Sequence, residues 1–502
     1  MNVLSILILI PLITALVLLM VRKELHMKLI ALFGSIAQLG YSVWLTNYYI
    51  NFRKAGDTAE MLFQTSLGWF KPLNIYFSTG VDGISLTMIL LTAMVVVAGI
   101  LVSWKIQHQV KEFFFLIVLL SLGAYGFFIS TDLFMMFFFL ELAVIPKYLL
   151  IGIWGSGKKE YSAMKLALML MAGSALVFLG IAALYFASGI YGGQYTWNIH
   201  ELTQINFPMS VQVPIYLLIF TGFGVFTAMF PFHTWAPDGH SSAPTAASMF
   251  LAGISMKLGG YGALRVATYL LPNAAQEWSW IFIILASIAI IYGAFATMMQ
   301  KDLKYMNAYS SVSHCGFVIL GIAMLTKTAF MGAVMQMVSH GIMTALFFAA
   351  IGMIYDRAHT RQANELGGML KQMPFIGTAF IIAGLTSLGL PGFSGFVSEM
   401  TVFVGSWERT GIFYRVATIL ACASIVVTAV YILRSVGFAI WGTITNKEYE
   451  TLKDATWNEK AAAVLLIAGI VFIGVLPFWV VNLISNDTIT IFNKFISVAV
   501  AN

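Results

Sequence analysis

The sequence predicts an all-α, polytopic membrane protein of about fourteen transmembrane helices. Composition is the first reason: 60% of the 502 residues are hydrophobic and 10% are charged, too little charge to clothe a water-soluble globule. The second is that apolar runs long enough to span a bilayer recur along the whole chain. The third is the placement of the lysines and arginines, which gather in alternate links between those runs, as membrane topology demands.

In chain order the runs fall at 3–21, 29–50, 81–104, 113–130, 133–154, 162–188, 213–232, 243–271, 278–299, 305–325, 328–355, 373–405, 412–442 and 460–484. The first has no charged leader and no small-residue cleavage motif, so it is expected to remain as a helix rather than be removed as a signal peptide. Links after the first, third, fifth, ninth, eleventh and thirteenth runs carry Arg22, Lys23 and Lys28; Lys105 and Lys111; Lys158 and Lys159; Lys301 and Lys304; Arg357, Arg361 and Lys371; and Lys447, Lys453 and Lys460. The other links are poorer, and 189–212 has neither lysine nor arginine. A multi-pass protein of the cell's inner (plasma) membrane is expected, with both termini on the non-cytoplasmic side. The net charge of +6 is accounted for by these scattered residues, which form no patch for nucleic acid. Cys315 and Cys422 both lie in apolar runs, leaving no cysteine set for an iron–sulfur cluster and no disulfide framework.

The seventh run, TGFGVFTAMFPF, and the twelfth, SLGLPGFSGFVSE, place glycine and proline at membrane depth, where released backbone groups need protein or water partners. Broken helices five apart predict two inverted five-helix units, as in transporters. The expected layout is 1–80 (helices 1 and 2 with a loop), 81–111 (helix 3), 112–271 (helices 4–8), 272–442 (helices 9–13) and 443–502 (a loop and helix 14). No residue-level repeat is visible between the units, so ordinary proline kinks stay open as the other account of the breaks.

Chemistry points to the ionisable groups stranded inside apolar runs. Lys257, in PFHTWAPDGHSSAPTAASMFLAGISMKLGGYG, lies roughly 20 Å from either end of its helix, and its ~6 Å stem cannot snorkel out. A charge at that depth costs on the order of 3 kcal/mol or more unless paired, hydrated or neutralised. Glu141, nine residues after Asp132, is about 14 Å along its helix. An apolar surround disfavours its charged form and a nearby ammonium favours it, so the proton occupancy of such a group can be switched. Lys147 follows on the same helix, turned about 120° away, with Pro146 between them. Glu399 follows the LGLPGFSG break directly. His314 and His340 are mid-helix groups able to relay protons, although a lone helical histidine is as often a hydrogen-bonding packer. Lys165 starts its helix near Lys158 and Lys159, where snorkelling and function account for it equally. Arg265 and Arg434, near helix ends, are expected to anchor or to pair with carboxylates. GIWGSGKK nearly spells a phosphate-binding loop, but Lys159 replaces the hydroxyl and a spanning helix precedes it, so it is read as a cytoplasmic loop. No nucleotide, flavin or metal motif is present.

The stretches FPFHTWAPDGHSSAPTAASMFLAGISMKLGGYGALR, KDLKYMNAYSSVSHCGFVILG, QMVSHGIMTALFF and SLGLPGFSGFVSE resemble the antiporter-like membrane subunits of proton-pumping NADH–quinone oxidoreductase, respiratory complex I. The resemblance runs from about residue 81 to 442 and is nearest the family's M branch: the chain stops soon after the fourteenth run, without the lateral-helix extension of the L branch, and has Glu399 where the L and N branches place lysine. It implies that Glu141, Lys257, His314, His340 and Glu399 belong to a proton path. Lys147 and Lys165 are further candidates for that path. Partners would be the L and N subunits and small membrane subunits, with FMN, iron–sulfur clusters and quinone in partner subunits and no cofactor in this chain. One position departs. Where the family usually has a lysine in the seventh helix, five residues before Pro231, this chain has Phe226, and Lys147 is available to supply the missing ammonium from another helix. Two other functions stay open: a subunit of an Mrp-type sodium–proton antiporter, and a self-contained solute permease, which the lack of a roomy polar site disfavours. The residues leave proton and sodium, and ubiquinone and menaquinone, undistinguished.

Overall fold

The computed structural model describes residues 2–501, with side chains through 495. Among these residues ten helices are long and apolar enough to cross a membrane, and Ser5–Met20 and Pro374–Ser387 are shorter apolar helices. The chain is a multi-pass membrane protein, although fewer runs than fourteen meet that measure. The shortfall has physical reasons. The eighth run is divided by backbone irregularities, the twelfth is broken in two, and the Leu303–Ala323 helix carries Asn307, Ser310, Ser311, Ser313 and His314 along its length.

The molecule is built around Lys327–Ala358, whose most apolar stretch is completely enclosed by the other helices. The helix that bears His340 is therefore shielded from lipid, whereas two of the helices packed on it keep an apolar flank outside: Met400, Val404 and Trp407 on Ser394–Glu408, and Val464 and Val475 on Trp457–Val475. Both expected breaks are present. Met209–Phe226 stops, passes through a turn with a cis Phe230–Pro231 bond and resumes as Trp235–Ser242. The indole Nε1 of Trp235 donates to the released Val225 carbonyl at 2.9 Å. Pro374–Ser387 stops and resumes as Ser394–Glu408, with Gly389 and Gly392 at φ +72° and +96° in the break, a region open to glycine at little cost.

Two features were not expected. Between the second and third helices, Leu62–Phe70 (β1) and Ile75–Val81 (β2) pair as an antiparallel hairpin, which hands the chain directly to Asp82, the N-cap of Gly83–Val102. The last run is also not one helix. Trp457–Val475 ends before Pro477, which has no N–H to continue it, and the chain re-forms as Phe478–Ala501. This second helix lies across the ends of three others. Asp487 Oδ2 accepts from Gly83 N–H at 2.7 Å, Gln276 donates to the Phe495 carbonyl at 2.9 Å, and the Phe330 and Phe495 rings are 5.8 Å apart.

Two helix starts are built alike. Asp132 caps Leu133–Trp154 by accepting from Phe134 and Met135, and bridges to Asn198. Asp302 caps Leu303–Ala323 by accepting from Lys304 and Tyr305, and bridges to Gln362. The first motif sits on the hairpin, where burial pushes the Asp132 carboxyl up to about 6 against the pull of its N–H donors. The second sits beside Ser241, whose carbonyl accepts from Arg361, at the other end of the Leu133–Trp154 helix, where Ser156 N–H meets Ser242.

The docked terminal helix depends on Gly83, since a Cβ there would lie 1.8 Å from the Leu483 carbonyl oxygen. Gly83→Ala should release that helix. Tryptic cleavage at Lys494 of the solubilised protein is expected to accelerate several-fold, and an unchanged rate would show that the helix is held by other contacts.

Candidate functional site

Lys257 occupies the middle of the 245–268 segment, which is α-helical at Thr245–Phe250, widens to a π-helix at Leu251–Ser255, returns to α at Met256–Gly262 and widens again at Ala263–Thr268. A π turn puts carbonyls out of the regular ladder. The Lys257 ammonium uses one of them, donating from Nζ to Ala252 O at 2.5 Å. Its other near contact is His340 Nδ1, at 2.6 Å. The two helices can come this close because they cross at Gly253 and Gly341: a Cβ on Gly341 would stand 2.9 Å from the Gly253 carbonyl oxygen.

From His340 the row continues. The His314 ring lies 5.4 Å away, centroid to centroid, and Cys315 Sγ is 4.0 Å from His340 Nδ1. His314 Nδ1 is 3.3 Å from Glu399 Oε1, and its Nε2 meets Ser387 Oγ at 2.9 Å. Glu399 stands on Ser394–Glu408, just past the break, with Gly389 pressed against it; a Cβ at Gly389 would be 2.8 Å from Glu399 Oε2. Lys257, His340, His314 and Glu399, drawn from four separate helical segments, thus form one buried row in which every member is at most 4% exposed.

His314 is at a fork. Gln336 Nε2 stands 3.3 Å from the same Nδ1 that faces Glu399, and the Gln336 carbonyl accepts from Ser398 Oγ at 2.6 Å. One ring nitrogen cannot serve both. Unprotonated, Nδ1 accepts from Gln336; protonated, it donates to Glu399.

The remaining expected residues stand outside this row. Lys165 does not reach for Lys158 and Lys159 but pairs with Asp238 at 2.7 Å, whose other oxygen accepts from Tyr305 at 3.2 Å. Lys147 is 1% exposed, and its Nζ has no hydrogen-bond partner. It lies 5.9 Å from the centre of the Phe226 ring. Glu141 has Ser174 and Lys147 as its near polar neighbours, and its Oε1 accepts no hydrogen bond. Arg265 contacts the Asp82 carboxylate, as anticipated for an anchor. Arg434 instead stays exposed over the Phe438 ring.

Sequence reasoning passed over two residues. His240 is fully buried, stacked 5.3 Å from the Phe348 ring, with neither ring nitrogen hydrogen-bonded; its place in PDGHSSAP was the available signal. Lys304, counted as a link cation because it follows Lys301 and Asp302, is buried and donates to Ala243 O at 2.7 Å. It lines a 390 Å³ cleft shared with Lys105, Asp356 and His359. Among the described residues no group of three or more histidines, cysteines or carboxylates is placed to hold a metal ion.

Because Cys315 sits inside the row and Cys422 is exposed, a membrane-permeant maleimide should label Cys422 and spare Cys315 in the resting protein. Comparable labelling of both would mean that the row is open to the outside.

Residues 130–425 match the family described as NADH:quinone oxidoreductase/Mrp antiporter, transmembrane. NADH-quinone oxidoreductase subunit M of Rickettsia bellii is 36% identical over 474 residues, covering 94% of this chain and 93% of that one. NAD(P)H-quinone oxidoreductase chain 4-2 of Synechocystis is 40% identical, over 79% of this chain and 69% of its own. In fold the chain is similar to one in respiratory complex I from Thermus thermophilus with bound NADH, with a TM-score of 0.88 at 22% identity over 98% of this chain and 99% of that one. It is also similar to one in the Mrp complex from Dietzia, with a TM-score of 0.85 at 18% identity over 98% and 97%. The chain belongs to the NADH:quinone oxidoreductase/Mrp antiporter membrane family.

Proposed function

We propose that this chain is a proton-translocating membrane-arm subunit of an NADH:quinone oxidoreductase, moving protons while partner subunits carry the flavin, the iron–sulfur clusters and the quinone chemistry. The reading is supported by the subunit M relatives, and by one observation above all, the buried Lys257–His340–His314–Glu399 row. Partners of the L and N types, small membrane subunits, a place in the inner (plasma) membrane and termini on the non-cytoplasmic side belong to the same proposal. So do two inverted units divided near residue 272, for which the paired Asp132 and Asp302 motifs speak.

The row accounts for the chemistry in short steps. The Lys257 ammonium faces an imidazole nitrogen at hydrogen-bond distance, so its proton can pass to His340 Nδ1 without a change of position. His340 Nε2 makes no hydrogen bond, leaving that nitrogen free to release the proton on the side of the ring away from Lys257. Arrival of charge at His314 moves Nδ1 from the Gln336 side of its fork to the Glu399 side, and Glu399, beside the interrupted backbone of its helix, is the terminal acceptor. The return of Nδ1 to Gln336 resets His314, and the row is ready again once His340 has regained its starting tautomer and Lys257 has been reprotonated.

An Mrp-type sodium–proton antiporter has the same fold, but the composition of the row favours protons. Sodium needs a shell of oxygen ligands, as hard cations do, whereas three of the four members present nitrogen, and an ammonium repels a cation outright.

Lys257→Ala and Glu399→Ala should each reduce proton translocation by assembled complexes in NADH-energised sealed vesicles at least tenfold. Gly389→Ala, which removes no ionisable group, should reduce it several-fold by displacing the Glu399 carboxylate. Wild-type translocation in either alanine variant of the charged pair would end the assignment. For His340, retention of full translocation by His340→Gln would show that the ring packs rather than relays.

A further inference from the structure

Lys147 is a buried ammonium that satisfies nothing. It is 1% exposed, donates to no carbonyl or carboxylate, and stands over the face of Phe226. As packing, its stem does no more than a methionine would, and its charge is costly in an apolar interior. We infer that Glu141 and Lys147 form a second proton-exchanging pair carried on a single helix, with the Phe226 ring as the seat that holds the ammonium beside it. The inference rests on the proton-translocating reading above and adds a site to it.

Three observations converge on the pair. The first is hydrogen-bonding capacity. Six residues separate the two groups, about 9 Å along the helix axis and about 120° around it, too far for a direct bond and near enough to interact electrostatically. Both are unsaturated, Lys147 at Nζ and Glu141 at Oε1. A saturated ion pair keeps its proton in place; an unsaturated one can exchange it through water. When Glu141 binds a proton, an O–H bond forms and the negative charge facing Lys147 disappears; when the proton leaves, that charge returns and the ammonium is again stabilised.

The second is the seat. A cation over an aromatic face is held by the ring quadrupole without being neutralised, so Phe226 positions the ammonium and leaves its protons available. The third is where the seat is attached. Phe226 is the last residue of Met209–Phe226, at the helix break, and a Cβ on Gly259 would come 2.9 Å from Phe226 Cβ and 2.7 Å from Thr227 N. Gly259 lies two residues from Lys257. Phe226 therefore faces Lys147 with its ring and packs its backbone end against the Lys257 helix, while Pro146, inside Leu133–Trp154, removes one N–H from the helix between the pair. A shift of the broken helix would carry the ammonium relative to Glu141.

The test uses the assembled, membrane-bound oxidoreductase with Lys147→Met, Lys147→Arg and the charge transplant Lys147→Met with Phe226→Lys, and Lys257→Ala as the reference. Translocation is read in NADH-energised vesicles. Protonation of Glu141 is read from the carboxyl C=O stretch that Glu141→Gln abolishes. Lys147→Met should lower translocation at least fivefold and move the Glu141 titration midpoint by about one pH unit or more. Lys147→Arg and the transplant should recover at least half of the translocation. Should Lys147→Met fail to assemble, Phe226→Leu keeps both ionisable groups and is expected to lower translocation and shift the same midpoint. Full translocation with an unmoved midpoint in Lys147→Met, or in Phe226→Leu where that is the variant read, overturns the pair. Full translocation in Lys257→Ala overturns the reading beneath it instead.

Discussion

The structure depends on one constraint: an ammonium at the middle of an apolar helix must be given partners by the protein around it. Lys257 meets it through local and distant backbone together. Widening of its own helix frees the Ala252 carbonyl, and two facing glycines let the central helix bring His340 within 2.6 Å. Larger side chains at Gly253 and Gly341 would push the helices apart, and the ammonium would lose its imidazole. Lys327–Ala358, which supplies that imidazole, is enclosed by the other helices, so the partner of the buried charge is itself kept from lipid.

The two broken helices are the complement of that rigid centre. Each break releases backbone groups that must be satisfied, and each places a candidate proton group beside the gap: Phe226 with its ammonium at one, Glu399 at the other. Trp235 satisfies the first break through the Val225 carbonyl. At the second, glycine conformations at Gly389 and Gly392 turn the chain within six residues and set the Glu399 carboxylate against the turn. An unbroken helix at either position would bury its N–H and C=O groups in its own ladder and give these side chains a fixed surround.

Much of this was legible in the residues. Lys257 and Glu399 announced themselves by depth, and both breaks by glycine and proline in apolar runs. What stayed hidden was decided by contacts distant in sequence. The widening at Leu251–Ser255 has no composition of its own. Lys304 looks like a link cation until the Ala243 carbonyl, from another segment, closes on it. The β hairpin exists only as a pairing of β1 with β2, and the correspondence between Asp132 and Asp302 lies in backbone bridges that no residue pattern announces. The last run was the reverse case: 460–484 read as one helix although it contains Pro477, and the helix that follows that proline has its place fixed by the docking of Asp487 on Gly83, a contact distant in sequence.

Hydrogen-bond saturation differs between the charged clusters near the helix ends and several buried groups of the interior. Near the helix ends, charged groups are richly bonded. Glu459 accepts from Lys105 at 2.8 Å, from Arg357 at 2.6 Å and from Thr456 N–H at 2.7 Å; Asp487 accepts from Gly83 N–H and lies 3.8 Å from Arg53. Such clusters fix helix ends, since removing one partner would strand the others as uncompensated charge. Toward the interior the pattern reverses. His340 Nε2, both nitrogens of His240, Lys147 Nζ and Glu141 Oε1 are buried and unbonded. In a protein built only for stability, such groups would be costly defects. Others lie elsewhere, Gln38 Oε1 and Arg265 Nε among them, but His340 stands against Lys257, and Lys147 and Glu141 share the helix that meets Phe226; under the proton-translocating reading, an open donor or acceptor site at these places is one through which a proton can be exchanged. Under that reading the bonded clusters hold the helices, while His340, Lys147 and Glu141 keep, between them, sites at which a proton can be taken up or given away.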